Sequence, residues 1–448
     1  MALAGLLSLL LWGGLTGLGT PSEPVRTPPN LIVVVADDVG TDRIGAYAEN
    51  PTPGNTPHID RLAAEGVLFR NAWATPYCSP SRAALLTGRH GFRTGVGKPI
   101  LPGLFPPQTG MSDQEITLAD SLTQVGYRSY VLGKWHLAAP TDSPLHPMDC
   151  GFELHAGSLF NLGGTGGLSS GDYEQWSKWV QGVPHTSTTY ATTDTTDDAI
   201  LALETLEEPW FLYLPYNAAH KPFHVPPADL HGFELEGDPK DTPVPHFKAA
   251  VEALDAELGR LLDALDASPA GRRTHVVFLG DNGTPKDAID APQNPDHGKG
   301  SLYEGAVRVP FIVRGPSVRK PGREELGLVG ITDVFATALE WADVPLPESA
   351  EDSVSFAPLL ELDGKKPTRG HLYTEKFSPN GPPPWDSHGR AVRNQDFKLL
   401  RFQPSGNERL FDLRNDPFEE VDLLEGELTS EAAQAYAELS KVLVAISG

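Results

Sequence analysis

The chain has 448 residues, enough for about three average domains or for one large α/β unit. Apolar residues make up 40% of it and charged residues 21%, a balance that excludes collagen-like fibres and disordered acidic chains. The formal charge of −24 repels phosphate backbones and anionic lipid surfaces, which argues against nucleic acid as a partner.

The N-terminal stretch is apolar. Residues 2–19 are Leu, Gly and Ala apart from Ser8, Trp12 and Thr16, and a polar, Pro-rich stretch follows over 21–29. This pattern predicts a signal peptide over residues 1–24, and hence export to a periplasmic, extracellular or lumenal compartment. A membrane anchor is the alternative, but the stretch is short and interrupted by glycines, so we expect no stable membrane insertion.

Strand and helix signals alternate over the first three quarters of the chain. Five apolar runs have the composition of buried parallel strands, namely Asn30–Ala36, 127–132, 210–214, 274–279 and 309–313. Helix signals lie between them: a start at Thr56 and Pro57 closed by Gly66, the segment 117–125 closed by Gly126, and the periodic segment 247–265. The alternation predicts an α/β fold.

The pattern changes near Arg369. Four short strand-like segments, 371–375, 391–393, 397–402 and 409–412, are separated by turn residues and predict a small antiparallel sheet. An acidic helix over roughly 424–446 closes the chain. We therefore divide the chain into a large α/β domain over 29–365 and a C-terminal antiparallel-sheet subdomain with a packing helix over 366–448.

Polar side chains follow two of the predicted strands. Asp37 and Asp38 end the first run, and Asp281 and Asn282 follow the run 274–279. Ligands bind at the carboxyl ends of strands in open α/β sheets, and adjacent carboxylates there repel each other unless a cation holds them. Helix or turn capping is the better explanation for a single pair, but two pairs favour a site for a hard cation such as Ca²⁺ or Mg²⁺.

Basic side chains recur at other strand ends. Lys134 and His136 follow the run 127–132, and alternation would place them on one face of an extended strand. His220 follows 210–214, and Lys299 lies between two glycines. A solvated lysine or a hydrogen-bonded core histidine is the ordinary explanation for any one of them, but their repetition in an acidic protein favours a pocket for an anion.

The segment 76–89 predicts a helix with a cysteine at its start. Ser79 is a good N-cap, Pro80 suits the first helical position, and Gly88 suits the C-terminal stop. Cys78 would then lie at a helix N-terminus that favours a developing anion, with Arg82 one turn further along. A buried cysteine before an ordinary helix is the alternative, and spacing does not decide between the two.

The sequence Cys-Ser-Pro-Ser-Arg over 78–82 resembles the signature of the type I, formylglycine-dependent sulfatases. Further segments are similar to motifs of this arylsulfatase-like family in the same order: the first metal strand at 30–40, the first helix at 54–70, the Gly-Lys-Trp-His-Leu segment at 133–137, the second metal strand at 280–283, the lysine segment at 297–310 and the C-terminal hairpin at 391–423. The resemblance implies an alkaline phosphatase-like fold, with a large mixed, mostly parallel sheet sandwiched by helices and a smaller antiparallel sheet.

The resemblance also implies a mechanism. Cys78 would be oxidised to formylglycine by a formylglycine-generating enzyme, and its hydrate would carry two hydroxyls on one carbon. One hydroxyl attacks sulfur and displaces the alcohol, and the second lets the sulfated hemiacetal eliminate sulfate. The cation that the resemblance implies is Ca²⁺ in preference to Mg²⁺, and its implied ligands are Asp37, Asp38, Asp281, Asn282 and the modified Cys78.

The same resemblance assigns the remaining site residues. Arg82 and the cation would lower the pKa of the attacking hydroxyl. Lys134, His220 and Lys299 would bind the sulfate oxygens, with His220 or Lys299 protonating the leaving alcohol and His136 accepting the proton of the second hydroxyl.

One stretch departs from the family pattern, because residues 151–158 leave open whether His155 or Ser158 supplies a polar sulfate ligand. We expect the specificity for an aryl or carbohydrate sulfate ester to lie in the loops 101–112, 161–185, 226–245 and 377–388.

Three alternatives to a sulfuric ester hydrolase stay open at this point. A phosphonate or phosphodiester hydrolase would use the same architecture, and a degenerate member would bind a sulfated glycan without cleaving it. A disulfide between Cys78 and Cys150 would consume the nucleophile, whereas we expect Cys150 to be a small buried residue.

Overall fold

The computed structural model describes residues 27–102, 109–163, 171–361 and 369–447. The predicted signal peptide and the predicted domain boundary at 365 and 366 lie outside these residues. In the described part of the chain, we find no helix that combines the length and the apolar character needed to cross a bilayer.

The larger part of the described chain is built on a ten-stranded mixed sheet. In chain order its strands are β1 (Asn30–Ala36), β2 (Val67–Trp73), β3 (Arg128–Leu132), β4 (Leu154–Gly157), β5 (Trp176–Val180), β6 (Val183–Ser187), β7 (Trp210–Pro215), β8 (Thr274–Gly280), β9 (Phe311–Arg314) and β10 (Arg323–Gly330). Their order in the sheet is β10-β2-β9-β8-β1-β7-β3-β4-β5-β6. The central strands β8, β1, β7, β3 and β4 are parallel, so their carboxyl ends meet at one edge.

Helices cover both faces of this sheet, which confirms the predicted sandwich. The helices of the described chain are α1 (Pro57–Ala64), α2 (Cys78–Thr87), α3 (Gly91–Thr94), α4 (Leu118–Thr123), α5 (His146–Asp149), α6 (Ala191–Thr205), α7 (Pro243–Ala267), α8 (Glu304–Val307), α9 (Asp333–Trp341), α10 (Ala357–Leu360) and α11 (Ser430–Ser447). The last of them, α11, packs on the C-terminal sheet described below. In β1, Val33 and Val35 face α2, α4 and α9, while Ile32 and Val34 face α1, α6 and α7. Because both faces are covered, β1 is buried along its whole length.

A second, antiparallel sheet of four strands follows near the C-terminus. It contains β11 (Leu372–Ser378), β12 (Ser387–Arg393), β13 (Phe397–Gln403) and β14 (Glu408–Asp412), in that order. Alternation gives it two apolar faces. Ala391 and Leu400 pack against Trp73 of the larger sheet, while Val392 and Leu399 pack against α11.

Several predicted elements differ from the structure. The run 309–313 was expected to be parallel, but β9 is antiparallel to β2 and β8. A strand buried on both faces is equally apolar in either direction, so composition does not carry the orientation. The last helix begins at Ser430 rather than near 424, because residues 423–425 form a separate 3₁₀ turn that Asp422 caps. Strands β2, β4, β5, β6 and β10 were not predicted.

Candidate active site

The sheet order brings the two predicted acidic pairs together. Strands β1 and β8 are neighbours, so Asp37 and Asp38 emerge beside Asp281 and Asn282. The Asp38 amide donates to Asp281 Oδ1 at 3.1 Å, and Asn282 Nδ2 donates to Asp38 Oδ1 at 2.9 Å. All four side chains are buried. The sequence-predicted pairs therefore form one cluster.

Three oxygens of this cluster have no hydrogen-bond partner. They are Asp37 Oδ1, Asp38 Oδ2 and Asn282 Oδ1, each on a buried side chain. An unpaired buried oxygen is costly unless a cation or water satisfies it. Ligand atoms of Asp37, Cys78 and Asp281 lie within 4.8 Å of one another, and so do those of Asp37, Asp38 and His220. The three unpartnered oxygens fit a hard divalent cation such as Ca²⁺, whereas a zinc site would use several histidines or thiolates and the cluster offers one of each.

Three basic side chains hold the other oxygens of the same carboxylates. Arg82 donates to Asp281 Oδ2 from Nε at 3.1 Å and from Nη2 at 2.8 Å. Lys134 Nζ contacts Asp37 Oδ2, and Lys299 Nζ contacts Asp38 Oδ1. Lys134 and Lys299 thus each hold one oxygen of an aspartate and leave its other oxygen unpartnered, whereas both oxygens of Asp281 already accept hydrogen bonds.

Burial and charge oppose each other at Asp37. Burial alone would raise its pKa, but Lys134, His220, Arg82 and Lys299 outweigh burial and hold the pKa of this carboxyl well below its usual range. The Asp37 side chain therefore stays ionised, as a cation ligand must be.

Cys78 is the first residue of α2 and is 1% exposed. Tyr77 is the N-cap, so the predicted N-cap at Ser79 is wrong. The Ser79 hydroxyl instead accepts the amide N–H of Ile100 at 3.2 Å, because tertiary contacts compete with capping for a serine oxygen. The helix stops at Gly88 as predicted, in the left-handed conformation with φ 68°.

His136 lies beside Cys78 with its tautomer fixed. Its Nε2 is 2.8 Å from the carbonyl oxygen of Ile100, which only accepts, so Nε2 carries the hydrogen. Nδ1 is then a free acceptor 3.3 Å from Cys78 Sγ. Burial, Lys134 and Arg82 lower the pKa of His136 well below its ordinary value, so the ring is neutral. Strand β3 ends at Leu132, so Lys134 and His136 reach the site from a loop and not from one face of a strand, as was expected.

His220 and Lys299 are the most open of the basic groups. Their side chains are 15% and 16% exposed, whereas Arg82 and Lys134 are fully buried. His220 Nδ1 donates to the Lys221 carbonyl at 2.7 Å, and burial together with Lys299 lowers the pKa of His220 to about 4. Burial alone would lower the pKa of Lys299, but the negative charge of Asp38 outweighs burial and holds this pKa above its ordinary value.

Sequence reasoning left His155 and Ser158 open and missed Asn217. His155 is buried in β4, and burial lowers its pKa to about 4. Ser158 Oγ donates to Asn217 Oδ1 at 2.9 Å, and Asn217 also accepts the amide of His220 on its carbonyl. Asn217 Nδ2 is buried without a partner. Asn217 lies two residues after the end of β7, just as Asp38 lies two residues after the end of β1. This position was the signal available in the sequence.

The two cysteines are unpaired and buried, so the alternative of a disulfide between Cys78 and Cys150 is wrong. Cys150 packs in the core beside His146, with 3.6 Å between Sγ and Nδ1. It is the small buried residue that we expected.

Comparisons with known proteins agree with this arrangement. The sulfatase family model matches residues 29–344, and the model described as N-sulphoglucosamine sulphohydrolase, C-terminal, matches residues 296–446. The dog N-acetylgalactosamine-6-sulfatase is 31% identical over 391 residues, covering 82% of this chain and 72% of the relative. Human arylsulfatase A is 27% identical and covers 93% of this chain and 87% of its own.

Solved structures give the same result. The crystal structure of Ps i-CgsB aligns with a TM-score of 0.77 and 26% identity, and the alignment covers 92% of each chain. The matched family, the relatives and the fold agree with one another, and the chain belongs to the sulfatase family of enzymes, which hydrolyse sulfate esters.

Proposed function

We propose that the protein hydrolyses the sulfate ester of a carbohydrate, using a formylglycine made from Cys78 and a bound Ca²⁺. The observation that carries the proposal is the set of three unpartnered buried oxygens on Asp37, Asp38 and Asn282 beside Cys78. A cation held there lies next to residue 78, where a nucleophile needs its charge stabilised. The relatives named N-acetylgalactosamine-6-sulfatase support a carbohydrate sulfate as the substrate class.

The modification has to precede folding. Cys78 is 1% exposed and lies in the first turn of a fully buried helix, so a modifying enzyme has no access to it in the folded protein. The formylglycine-generating enzyme acts as the maturation partner and uses an external oxidant such as molecular oxygen, so that the cysteine loses one sulfur and two hydrogens and gains one oxygen. Hydration of the aldehyde then supplies two hydroxyls on one carbon, one to attack sulfur and one to assist release of sulfate.

The neighbouring side chains divide the proton transfers between them. Arg82 stabilises the ionised attacking oxygen, and the acidic cluster would hold the cation that supplies further positive charge there. His136 accepts the proton of the second hydroxyl on Nδ1, the nitrogen that faces residue 78. His220 or Lys299 protonates the leaving alcohol, since these two side chains are the most open of the basic groups at the site.

The cation ligands are Asp37, Asp38, Asp281, Asn282 and the modified residue 78. When bound, Ca²⁺ acts as a Lewis acid on the attacking oxygen and on the sulfate. Lys134 and Lys299 bind the sulfate oxygens where negative charge accumulates, and the Ser158–Asn217 pair offers a further neutral donor. We also propose export of the mature chain, on the composition of residues 1–24.

The deciding experiment is peptide mass spectrometry of the tryptic fragment 71–82 from protein expressed with a formylglycine-generating enzyme. We expect formylglycine at position 78 and turnover of 4-nitrophenyl sulfate by the same preparation. The matched control is Cys78→Ala, which should fold and be inactive. A modified protein that cleaves phosphonate diesters but no sulfate ester, or an unmodified one that cleaves sulfate esters, would contradict the proposal. Protein sequencing of the exported chain tests the cleavage near residue 24.

A further inference from the structure

Strand β11 of the C-terminal sheet reaches the active site through a lysine. Lys376 Nζ donates to the carbonyl oxygen of Gly300 at 2.5 Å, and residue 300 directly follows Lys299. A Cβ added to Gly300 would lie 2.9 Å from the Tyr77 hydroxyl, and Tyr77 precedes Cys78. The Lys376 ammonium therefore lies beside the segment that carries Lys299, one of the two most open catalytic groups.

A second lysine lies on the same face of β11. Lys98 Nζ donates to Ser378 Oγ at 3.0 Å, and residues 376 and 378 share one face because side chains alternate along a strand. The Asn380 amide oxygen accepts the backbone N–H of Lys98 at 3.0 Å and fixes this loop against β11. The loop continues into Ile100, whose carbonyl holds His136. Both lysines thus border the site that contains residue 78.

Neither lysine has an acidic partner within the described ranges of the chain. Among the residues that the structure describes, every other buried or half-buried lysine forms an ion pair with a carboxylate, and these are Lys134, Lys178, Lys248, Lys299 and Lys398. Lys98 and Lys376 contact only a hydroxyl and a carbonyl. Burial lowers the pKa of Lys376, and no carboxylate offsets that effect. The chain has 59 acidic and 35 basic residues, so most lysines can find a carboxylate partner. Two ammonium groups without such a partner at one site therefore indicate a place for an anion.

We propose that Lys98 and Lys376 form a second anion subsite, which binds an additional negative group of the substrate beside the sulfate that is cleaved. The substrate is then a carbohydrate sulfate with at least two negative charges, the second being a carboxylate or another sulfate. The inference rests on the proposed function, because it places the scissile sulfate at residue 78. A neutral leaving group, such as a simple phenol or a sterol, leaves this subsite empty.

The test uses the modified full-length enzyme and 4-nitrophenyl sulfate as the reporter substrate. Inhibition constants are measured for N-acetylgalactosamine 6-sulfate, for its 4,6-disulfate and for a uronic acid disaccharide that carries the 6-sulfate. The wild type should bind one or both dianionic sugars at least about tenfold more tightly than the monoanionic one, as expected for one charge-assisted contact. The disulfate and the uronate then report separately which second anion fits.

The variants are Lys98→Gln and Lys376→Gln, each with the charge-retaining replacement by Arg. Each Gln variant should lose about tenfold in affinity for the dianionic sugar and less than about twofold for the monoanionic one. Lys221→Gln is the matched control, because Lys221 is exposed and already paired with Asp287. Equal inhibition constants for the sugars in the wild type, or equal losses on both classes in the variants, would overturn the subsite.

Failure of the subsite is distinguishable from failure of the proposed function. If the modified wild type does not hydrolyse 4-nitrophenyl sulfate, the proposed chemistry fails, and calorimetric binding of the same sugars still tests the lysines. If it does hydrolyse the aryl sulfate, turnover of that substrate by each Gln variant checks that the site is intact. Unfolding temperatures within about 4 °C of the wild type show that a lost affinity is not a lost fold.

Discussion

Arg82 and Asp281 form a two-donor ion pair in which both side chains are fully buried. The Arg82 Nη1 group also donates to the Lys134 carbonyl at 2.8 Å, so one guanidinium ties α2 to the ends of β8 and β3. A buried pair of this kind adds modest net stability when intact, but removal of one partner leaves a charge without compensation.

Replacement of Arg82 by Gln should therefore impair both stability and catalysis. We expect a loss of about 3–5 kcal/mol in the free energy of unfolding. We expect kcat/KM for an aryl sulfate to fall by at least about 100-fold. Arg82→Lys keeps the charge without the two-donor geometry and should recover stability only in part. Arg61→Gln, at an exposed pair with Asp263, is the control and should behave as the wild type. Denaturant titration and steady-state kinetics measure the two effects, and an active Arg82→Gln enzyme would refute the assigned role.

Asn282 tests the cation site without removing a charge. Its Oδ1 is one of the three unpartnered oxygens, so Asn282→Ala should lower Ca²⁺ affinity by about 10–100-fold. Elemental analysis should find about one Ca²⁺ per chain in the wild type and less in the variant after dialysis. A chelator should lower the unfolding temperature of the wild type and change that of the variant little, since a ligand of the folded state stabilises it. The control is Asn71→Ala, which removes an exposed side chain that donates to Leu326.

Ser158 and Asn217 should act as a pair, and His155 should not. The hydroxyl donates to Asn217 Oδ1 and leaves Nδ2 free, so Ser158→Ala and Asn217→Leu each remove part of one unit. We expect each change to lower kcat/KM by about tenfold, and the double variant to lose little more than either single one. His155→Phe should stay within about twofold of wild-type kcat/KM. If the losses simply add, or if His155→Phe alone is inactive, the assignment is wrong.

His275 makes stability depend on pH far from the active site. Burial lowers its pKa from 6.5 to about 3, and its ring stacks on Trp341 with 3.8 Å between centroids. Its Nε2 is 3.3 Å from the Ser317 hydroxyl. The unfolded chain binds a proton here below pH 6.5 and the folded chain does not, so the stability from neutral His275 is lost as pH falls from 6.5 towards 3.

His275→Phe keeps the ring stacking and removes this proton linkage. Below pH 6.5, the free energy of unfolding of the variant should rise relative to that of the wild type, by up to about 1.4 kcal/mol for each pH unit. Urea titrations at pH 7.0, 5.5 and 4.5 measure the shift. A difference that stays constant with pH would mean that His275 becomes protonated in the folded protein.

The sequence predicts the parts of this molecule that depend on local chemistry. Apolar runs with polar residues at their ends identify β1 and β8, and Asp37 and Asp281 follow from them. The direction of β9 is not predictable in this way, because a strand covered on both faces has no polar side to mark it. The cap at Ser79 fails for a different reason, since a distant amide, that of Ile100, takes its oxygen.

The missed site residues depend on long-range placement. Asn217 lies at the candidate site because β7 is next to β1 in the sheet, and the periodicity of the sequence does not contain this strand order. Lys98 and Lys376 lie just outside the loops 101–112 and 377–388 that were expected to set specificity. Their relation to Lys299 exists only after the C-terminal sheet has packed against the larger one.

The contacts at Ile100 make the catalytic centre tolerant of apolar replacements at that position. The residue holds His136 through its carbonyl oxygen and Ser79 through its amide, and neither contact uses its side chain. A replacement such as Val or Leu fills a similar volume and keeps both contacts, whereas an insertion or deletion in the segment 97–101 displaces them together. Because Ile100 is fully buried, its side chain must stay apolar, but within that class the chain length of the segment constrains the site more tightly than the identity of residue 100. A library that places apolar residues of similar volume at position 100 should return many active clones.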